Sequence, residues 1–248
     1  MSDGRKVVVI TGGGRDIGKA CAIDFAKQGA KILFTYHSSK DSAMQVVDEI
    51  TQLGSEAIAI KADLTQPDAV NLVVQQAVDT YGRIDTLVHV SGGLIDRVKL
   101  SEMSLEHWNN VMSVNLTSLF MMSKACIPHM PAGSSIITFA SQAGRDGGGP
   151  GAVAYATSKG AVMSFTRGLA KELGPDIRVN CVCPGMISTG FHDTFTKDDV
   201  RENVANATAI KREGQADEVA KLVTFLSSQN ASYMTGNCVD INGGILFS

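Results

Sequence analysis

The chain predicts an α/β fold: one doubly wound domain whose seven-stranded parallel sheet carries helices on both faces. Three observations predict it. Short β-branched apolar runs alternate with amphipathic stretches along the chain. Those stretches are long enough for the crossovers that parallel strands demand. The first apolar run enters a glycine-rich turn that opens a helix. With 248 residues, 44% hydrophobic and 19% charged, the chain can bury one sizeable core. No repeat, low-complexity linker or break in composition marks a second domain, so residues 1–248 read as one.

The first strand, Val7 to Ile10, leads into Thr11-Gly12-Gly13-Gly14-Arg15-Asp16-Ile17-Gly18 and a helical stretch from Ala20 to Gln28. Strands at Ile32 to Thr35 and Ala57 to Ile60 follow, with helical patterns at Asp41 to Leu53 and Pro67 to Tyr81. Thr86 to Val90 is the fourth strand, with a helix over Leu105 to Ile127. Ser135 to Phe139 is the fifth, with a helix over Ala152 to Leu173. Beyond the sixth, Arg178 to Val182, the chain makes its one long interruption, about residues 185–212, which reads as a substrate lid. A helix over Gln215 to Leu226 and a seventh strand, Cys238 to Ile241, complete the set.

Composition narrows the function classes. A net charge of -3 without a long basic run argues against nucleic-acid binding. The N-terminus runs into the first strand without a signal-peptide apolar region, and no apolar run reaches membrane-spanning length. The expectation is a cytoplasmic protein without a membrane partner. Cys21, Cys126, Cys181, Cys183 and Cys238 are odd in number and lack zinc-ligand pairing, so they are expected to be reduced and mostly buried, with no metal site.

Two segments carry chemistry. Glycines let a turn approach a pyrophosphate while the helix start offers unpaired N–H groups, although a plain tight turn would read the same way. Tyr155 and Lys159 stand four apart, fourteen residues and more after Ser141, and at helical pitch share a face. A cation beside a phenol favours the phenolate and draws its pKa down from about 10. Alone, a Tyr-x-x-x-Lys spacing recurs by chance on solvated helices. Ligands of doubly wound sheets bind beyond the carboxyl ends of the strands, where the glycine turn, Ser141 and Gly185 should converge.

Together, Thr11-Gly12-x-x-x-x-Ile17-Gly18, Asp63-Leu64, Asn115, Ser141, Tyr155-x-x-x-Lys159, Pro184-Gly185 with Thr189, and Gly236-x-x-x-Asp240-x-x-Gly243-Gly244 resemble the classical short-chain dehydrogenase/reductase family over nearly the whole chain. Within it the chain looks most like the 3-oxoacyl-acyl-carrier-protein reductase and sugar-dehydrogenase branch. The resemblance implies a Rossmann-type sheet, a nicotinamide dinucleotide and a homotetramer. It implies that Tyr155 gives a proton to the substrate carbonyl and that Ser141 hydrogen-bonds the same oxygen. Lys159 would hold the nicotinamide ribose and lower the tyrosine pKa, and Asn115 would anchor a relay water. Gly12, Gly14, Arg15, Asp16, Ile17, Asp63, Leu64, Ser91, Gly92, Pro184, Gly185, Ile187 and Thr189 would line the dinucleotide. Thr189 also reads as a helix N-cap, and Asp63 as a strand-end cap.

Two positions depart from the family pattern. Asp16 stands where the family has glycine, which puts a carboxylate near a pyrophosphate unless it caps the helix or pairs with Arg15 or Lys19. His89 replaces an amide in what is usually Asn-Asn-Ala-Gly, and reads as a satisfied structural histidine.

The second strand ends in Thr35-Tyr36-His37-Ser38-Ser39-Lys40, with no acid before Asp41 to bind ribose hydroxyls. Tyr36, His37, Ser38, Lys40 and Arg15 suit a 2′-phosphate, so NADPH is expected in preference to NADH. On the substrate side the candidates are Gln142, Arg145 and His192. The expected reaction is reduction of a small polar ketone or aldehyde, either an oxoacyl thioester or an α-keto acid from carbohydrate breakdown such as an alginate-derived uronate. Oxidation of a sugar or polyol by the same residues and non-catalytic dinucleotide sensing are the alternatives.

Overall fold

The computed structural model describes residues 4–247; Met1 to Asp3, part of the expected leaderless N-terminus, lie outside them. Seven parallel strands form one sheet: β1 (Val7–Thr11), β2 (Lys31–Tyr36), β3 (Ala57–Lys61), β4 (Thr86–His89), β5 (Ser134–Phe139), β6 (Ile177–Pro184) and β7 (Cys238–Ile241). Their order is β3-β2-β1-β4-β5-β6-β7, which reverses direction between β1 and β4. The two crossover series diverge there, opening a crevice at the strand ends.

Successive strand residues face opposite sides, and both sides are covered. On one, Ile10, Phe34, Val88, Ile137 and Val182 pack against Phe25 of α1 (Asp16–Lys27), Val46 of α2 (Lys40–Gln52) and Val223 of the last long helix, residues Ala216–Ser227. On the other, Val9, Leu33, Leu87, Ile136 and Val179 meet Val73 of α3 (Pro67–Tyr81) and Leu169 of the helix at Val153–Leu173. Burying each such side chain contributes roughly 1.5–3 kcal/mol. This double cover is why the strands read as unbroken apolar runs.

The expected helix over Leu105 to Ile127 is in fact three pieces: α4 (Leu105–Met112), a π-turn (Ser113–Thr117) and α5 (Ser118–Cys126). At the π-turn Asn115 donates from Nδ2 to Val111 O at 2.9 Å and to Gly93 O at 2.8 Å, so the widened turn tilts its amide toward the loop after β4. Short α6 (Ala143–Asp146) precedes α7 (Val153–Leu173). The lid contains two helices that its sequence did not announce, α8 (Gly190–Phe195) and α9 (Asp198–Ala207), before α10 (Ala216–Ser227). Among the described residues no helix is long and apolar enough to cross a membrane.

Candidate active site

The glycine turn is fastened to the sheet before it meets any ligand: the Gly12 and Gly13 N–H groups donate to Thr35 Oγ1 at 3.1 Å and Thr35 O at 2.9 Å. A Cβ on Gly18 would lie 2.0 Å from Gly12 O, so only glycine lets α1 settle onto the turn and present its first N–H groups to the crevice. Gly92 likewise leaves no room for a side chain, since a Cβ would stand 2.6 Å from Asn115 Oδ1 and 3.1 Å from Lys159 Nζ.

Asp16 adopts φ +51, the left-handed region that aspartate tolerates better than most non-glycine residues. It neither caps α1 nor pairs with Lys19, which bonds Glu49 at 2.5 Å. Its carboxylate lies 3.6 Å from Arg15 Nε and accepts the Gly190 N–H at 3.1 Å. The departure from glycine therefore ties the turn to the lid.

His89 is buried between Thr11 Oγ1 (3.3 Å) and Ser118 Oγ (3.2 Å). Burial, with the Lys159 charge, pushes its pKa down to about 3, so it stays neutral and structural. Asn115 is buried behind the crevice, and besides its two donated bonds it accepts the Gly93 N–H at 3.0 Å. This clamp tethers the loop after β4.

Ser141 follows β5, and Tyr155 and Lys159 project from α7. Desolvation raises the pKa of the Tyr155 phenol, and the neighbouring Ser141 hydroxyl offsets this only in part. Lys159 Nζ lies 5.7 Å from the Tyr155 ring centroid and donates to Phe139 O at 2.8 Å. Burial brings the ammonium itself down to about 8.

The segment expected to be a lid lies beside this set. Phe191 stands 6.1 Å from the Tyr155 ring and 5.1 Å from each of the His192 and Phe195 rings. His192 pairs Nδ1 with Thr196 Oγ1 at 2.9 Å, and burial lowers its pKa. Arg201 braces the lid through two 2.7 Å bonds to Glu213 and one of 2.5 Å to Asp193.

One cavity of about 720 Å³ gathers these groups. At its cofactor end are Gly12, Gly14, Arg15, Asp16, Ile17, Tyr36, His37, Ser38, Asp63 and Leu64; further in are Ser91, Gly92, Pro184, Gly185, Ile187 and Thr189. Ser141, Gln142, Tyr155, Lys159 and His192 line the remainder. Asp63 caps its strand end by accepting from Thr65 N–H and Oγ1 at 3.0 and 2.7 Å, which lowers its pKa, and still borders the cavity. Three expected residues do not line it. Asn115 works from behind, and Lys40 opens α2 outside the lining. Arg145 is spent on Asp240 Oδ1 and Cys238 O, both at 2.8 Å, so it is withdrawn as a substrate contact. Sequence reasoning missed Arg97, Met186, Val204 and Ile245, which lie in stretches without periodicity or are brought in by the lid. Among the described residues no group of three or more His, Cys, Asp or Glu could hold a metal.

The glycine-lined crevice, the accessible N–H groups of α1 and the absence of bulk over Lys159 fit a dinucleotide. Known proteins agree. A family model described as enoyl-(acyl carrier protein) reductase matches residues 12–246. A 3-oxoacyl-[acyl-carrier-protein] reductase from Synechocystis is 36% identical over 97% of each chain. A short chain dehydrogenase from Burkholderia cenocepacia, solved with NADP, superposes with TM-score 0.89 at 33% identity over 97% of each chain. The NADH-dependent reductase A1-R′ responsible for alginate metabolism gives TM-score 0.89 at 30% identity over 100% of each chain. The chain thus belongs to the short-chain dehydrogenase/reductase family and is an oxidoreductase acting on carbonyl or hydroxyl groups.

Proposed function

We propose that the chain is an NADPH-dependent reductase of a small polar ketone or aldehyde. The observation that carries this reading is the gathering of Ser141, Tyr155 and Lys159 on one cavity wall, with Lys159 Nζ 5.7 Å from the Tyr155 ring centroid. The raised phenol pKa keeps the proton on Tyr155 until a carbonyl oxygen accepts it. Ser141 holds the oxygen of that carbonyl in line with the phenol. The Lys159 charge stabilises the phenolate left behind, and its bond to Phe139 O fixes where that charge sits. Asn115 keeps the Gly92-Gly93 loop open beside Lys159. A bound nicotinamide dinucleotide supplies the hydride.

His37 and Arg15 at the adenosine end, with no carboxylate ending β2, support NADPH over NADH. The substrates that suit the cavity are a 3-oxoacyl thioester or a keto sugar and uronate-derived α-keto acid; one relative above is a 3-oxoacyl-[acyl-carrier-protein] reductase and the other serves alginate metabolism. The intact Ser141, Tyr155, Lys159 and Asn115 set speaks against a purely sensing role. A cytoplasmic homotetramer completes the reading. The test is NADPH oxidation across β-keto thioesters, α-keto aldehydes, uronate-derived keto sugars and simple ketones. Turnover of at least one polar class, faster with NADPH than NADH, is expected; no turnover of any carbonyl overturns it.

A further inference from the structure

Arg97 projects from the loop after β4 into the substrate end of the cavity. Its Nε donates to Phe195 O of the lid at 3.2 Å and its Nη1 to Pro150 O at 3.1 Å. Two of the guanidinium's five N–H groups are used, and both go to neutral carbonyls. The other guanidinium on the cavity wall, Arg15, has a carboxylate beside it in Asp16. The Asp96 carboxylate accepts the Arg97 backbone N–H at 2.7 Å, but among the described residues no carboxylate pairs with the Arg97 guanidinium, which keeps three N–H groups to offer.

The loop before α7 is shaped around this side chain. A Cβ on Gly149 would lie 3.4 Å from Arg97 Nη1, and one on Gly151, at φ +76, would lie 3.1 Å from Arg97 Cβ and its carbonyl carbon. Gly149 and Gly151 thus leave the room in which Arg97 lies. His192 lines the same end, close enough for the Arg97 charge to act on its ring. Of the acids nearby, Asp96 is turned to the Arg97 backbone N–H, and Asp146 accepts from Gln142 Nε2 at 2.9 Å and the Gly148 N–H at 2.8 Å. Leu94, Met186 and Phe191 supply apolar wall between these polar groups.

We propose that Arg97, assisted by His192, is the subsite for a carboxylate on the substrate, so that the carbonyl compound reduced here is an oxo acid. Resting on the reductase reading above, the assignment names its substrate class. A guanidinium held by two backbone carbonyls presents its free edge in a fixed direction, which suits a planar carboxylate and orients the carbonyl toward Tyr155.

The test compares oxo acids of increasing carbonyl-to-carboxylate spacing with their methyl esters, using the intact enzyme and NADPH. The wild type should favour the acid at one spacing by about tenfold or more in kcat/KM. Arg97→Gln should lose about 30-fold on that acid while the ester changes less than about threefold. Arg97→Lys, which keeps the charge without the fork, should fall between them. An equal fall on acid and ester would overturn the proposal, leaving Arg97 as a lid fastener. A wild type that prefers esters or oxoacyl thioesters would overturn it too, while leaving the reductase reading standing. Absence of turnover on acids, esters and every other carbonyl would instead sink that reading.

Discussion

The Asp16 carboxylate accepts the Gly190 N–H at 3.1 Å, joining the glycine turn to the first residue of α8 across 174 positions of sequence. A residue that looks like a defect in a phosphate-binding turn is thereby a lid contact.

Replacing it separates two effects. Asp16→Gly relieves the positive φ but removes the contact, so residues 190–207 should exchange amide hydrogens faster in the cofactor-free enzyme. Asp16→Asn retains an acceptor and removes a charge that opposes phosphates, so lid exchange should stay near wild type while NADPH affinity rises about fivefold. Hydrogen-exchange mass spectrometry and fluorescence titration check both. Unchanged lid exchange in Asp16→Gly would remove the contact's importance.

Lys159 predicts a pH dependence. Its folded pKa, about 8, lies below the ordinary lysine value of 10.5, so the unfolded chain binds the extra proton between those limits. Stability relative to Lys159→Met should therefore rise by roughly 3 kcal/mol as pH increases from about 8 to 10.5. Over the start of the same window kcat/KM for reduction should fall, because the ammonium that stabilises the phenolate is lost. Urea unfolding and pH–rate profiles measure the two.

His89 predicts the opposite. Held neutral between Thr11 and Ser118, it should leave the pH–rate profile unmoved when changed to Ala, while stability drops by about 2–3 kcal/mol from the cavity and the unpaired hydroxyls. A profile that loses a limb near neutrality in the variant would make His89 a participant in proton transfer.

Cofactor choice should turn on the end of β2. His37 lines the cavity and no acid ends the strand, so His37→Asp should lower kcat/KM with NADPH by about 30-fold while NADH changes little. Steady-state assays with both cofactors decide it, and equal losses on the two would contradict the 2′-phosphate reading.

Legibility in the sequence followed the physics. The strands could be read because the inner ones are buried on both faces and show as apolar runs, as in Val7–Thr11, while the partly buried edge strands β3 and β7 keep short apolar runs. Tyr155, Lys159 and Ser141 were legible through fixed spacing on α7 and the end of β5. The break at Asn115 was not, because the apolar period continues through the π-turn and only the bonds to Gly93 reveal it. Arg145 misled because a loop arginine gives no sign of its partner, here Asp240 on β7, 95 residues away. Arg97 stayed hidden for the same reason, its bed of glycines lying 53 residues on at Pro150.

The central claim is that Tyr155 delivers the proton. Tyr155→Phe keeps the ring against Phe191 and removes only the hydroxyl, so single-turnover NADPH oxidation with the best carbonyl substrate should slow by about 10²–10⁴-fold. NADPH affinity, measured by fluorescence in the same variant, should stay within about twofold. Turnover by Tyr155→Phe at the wild-type rate on that substrate would contradict the account.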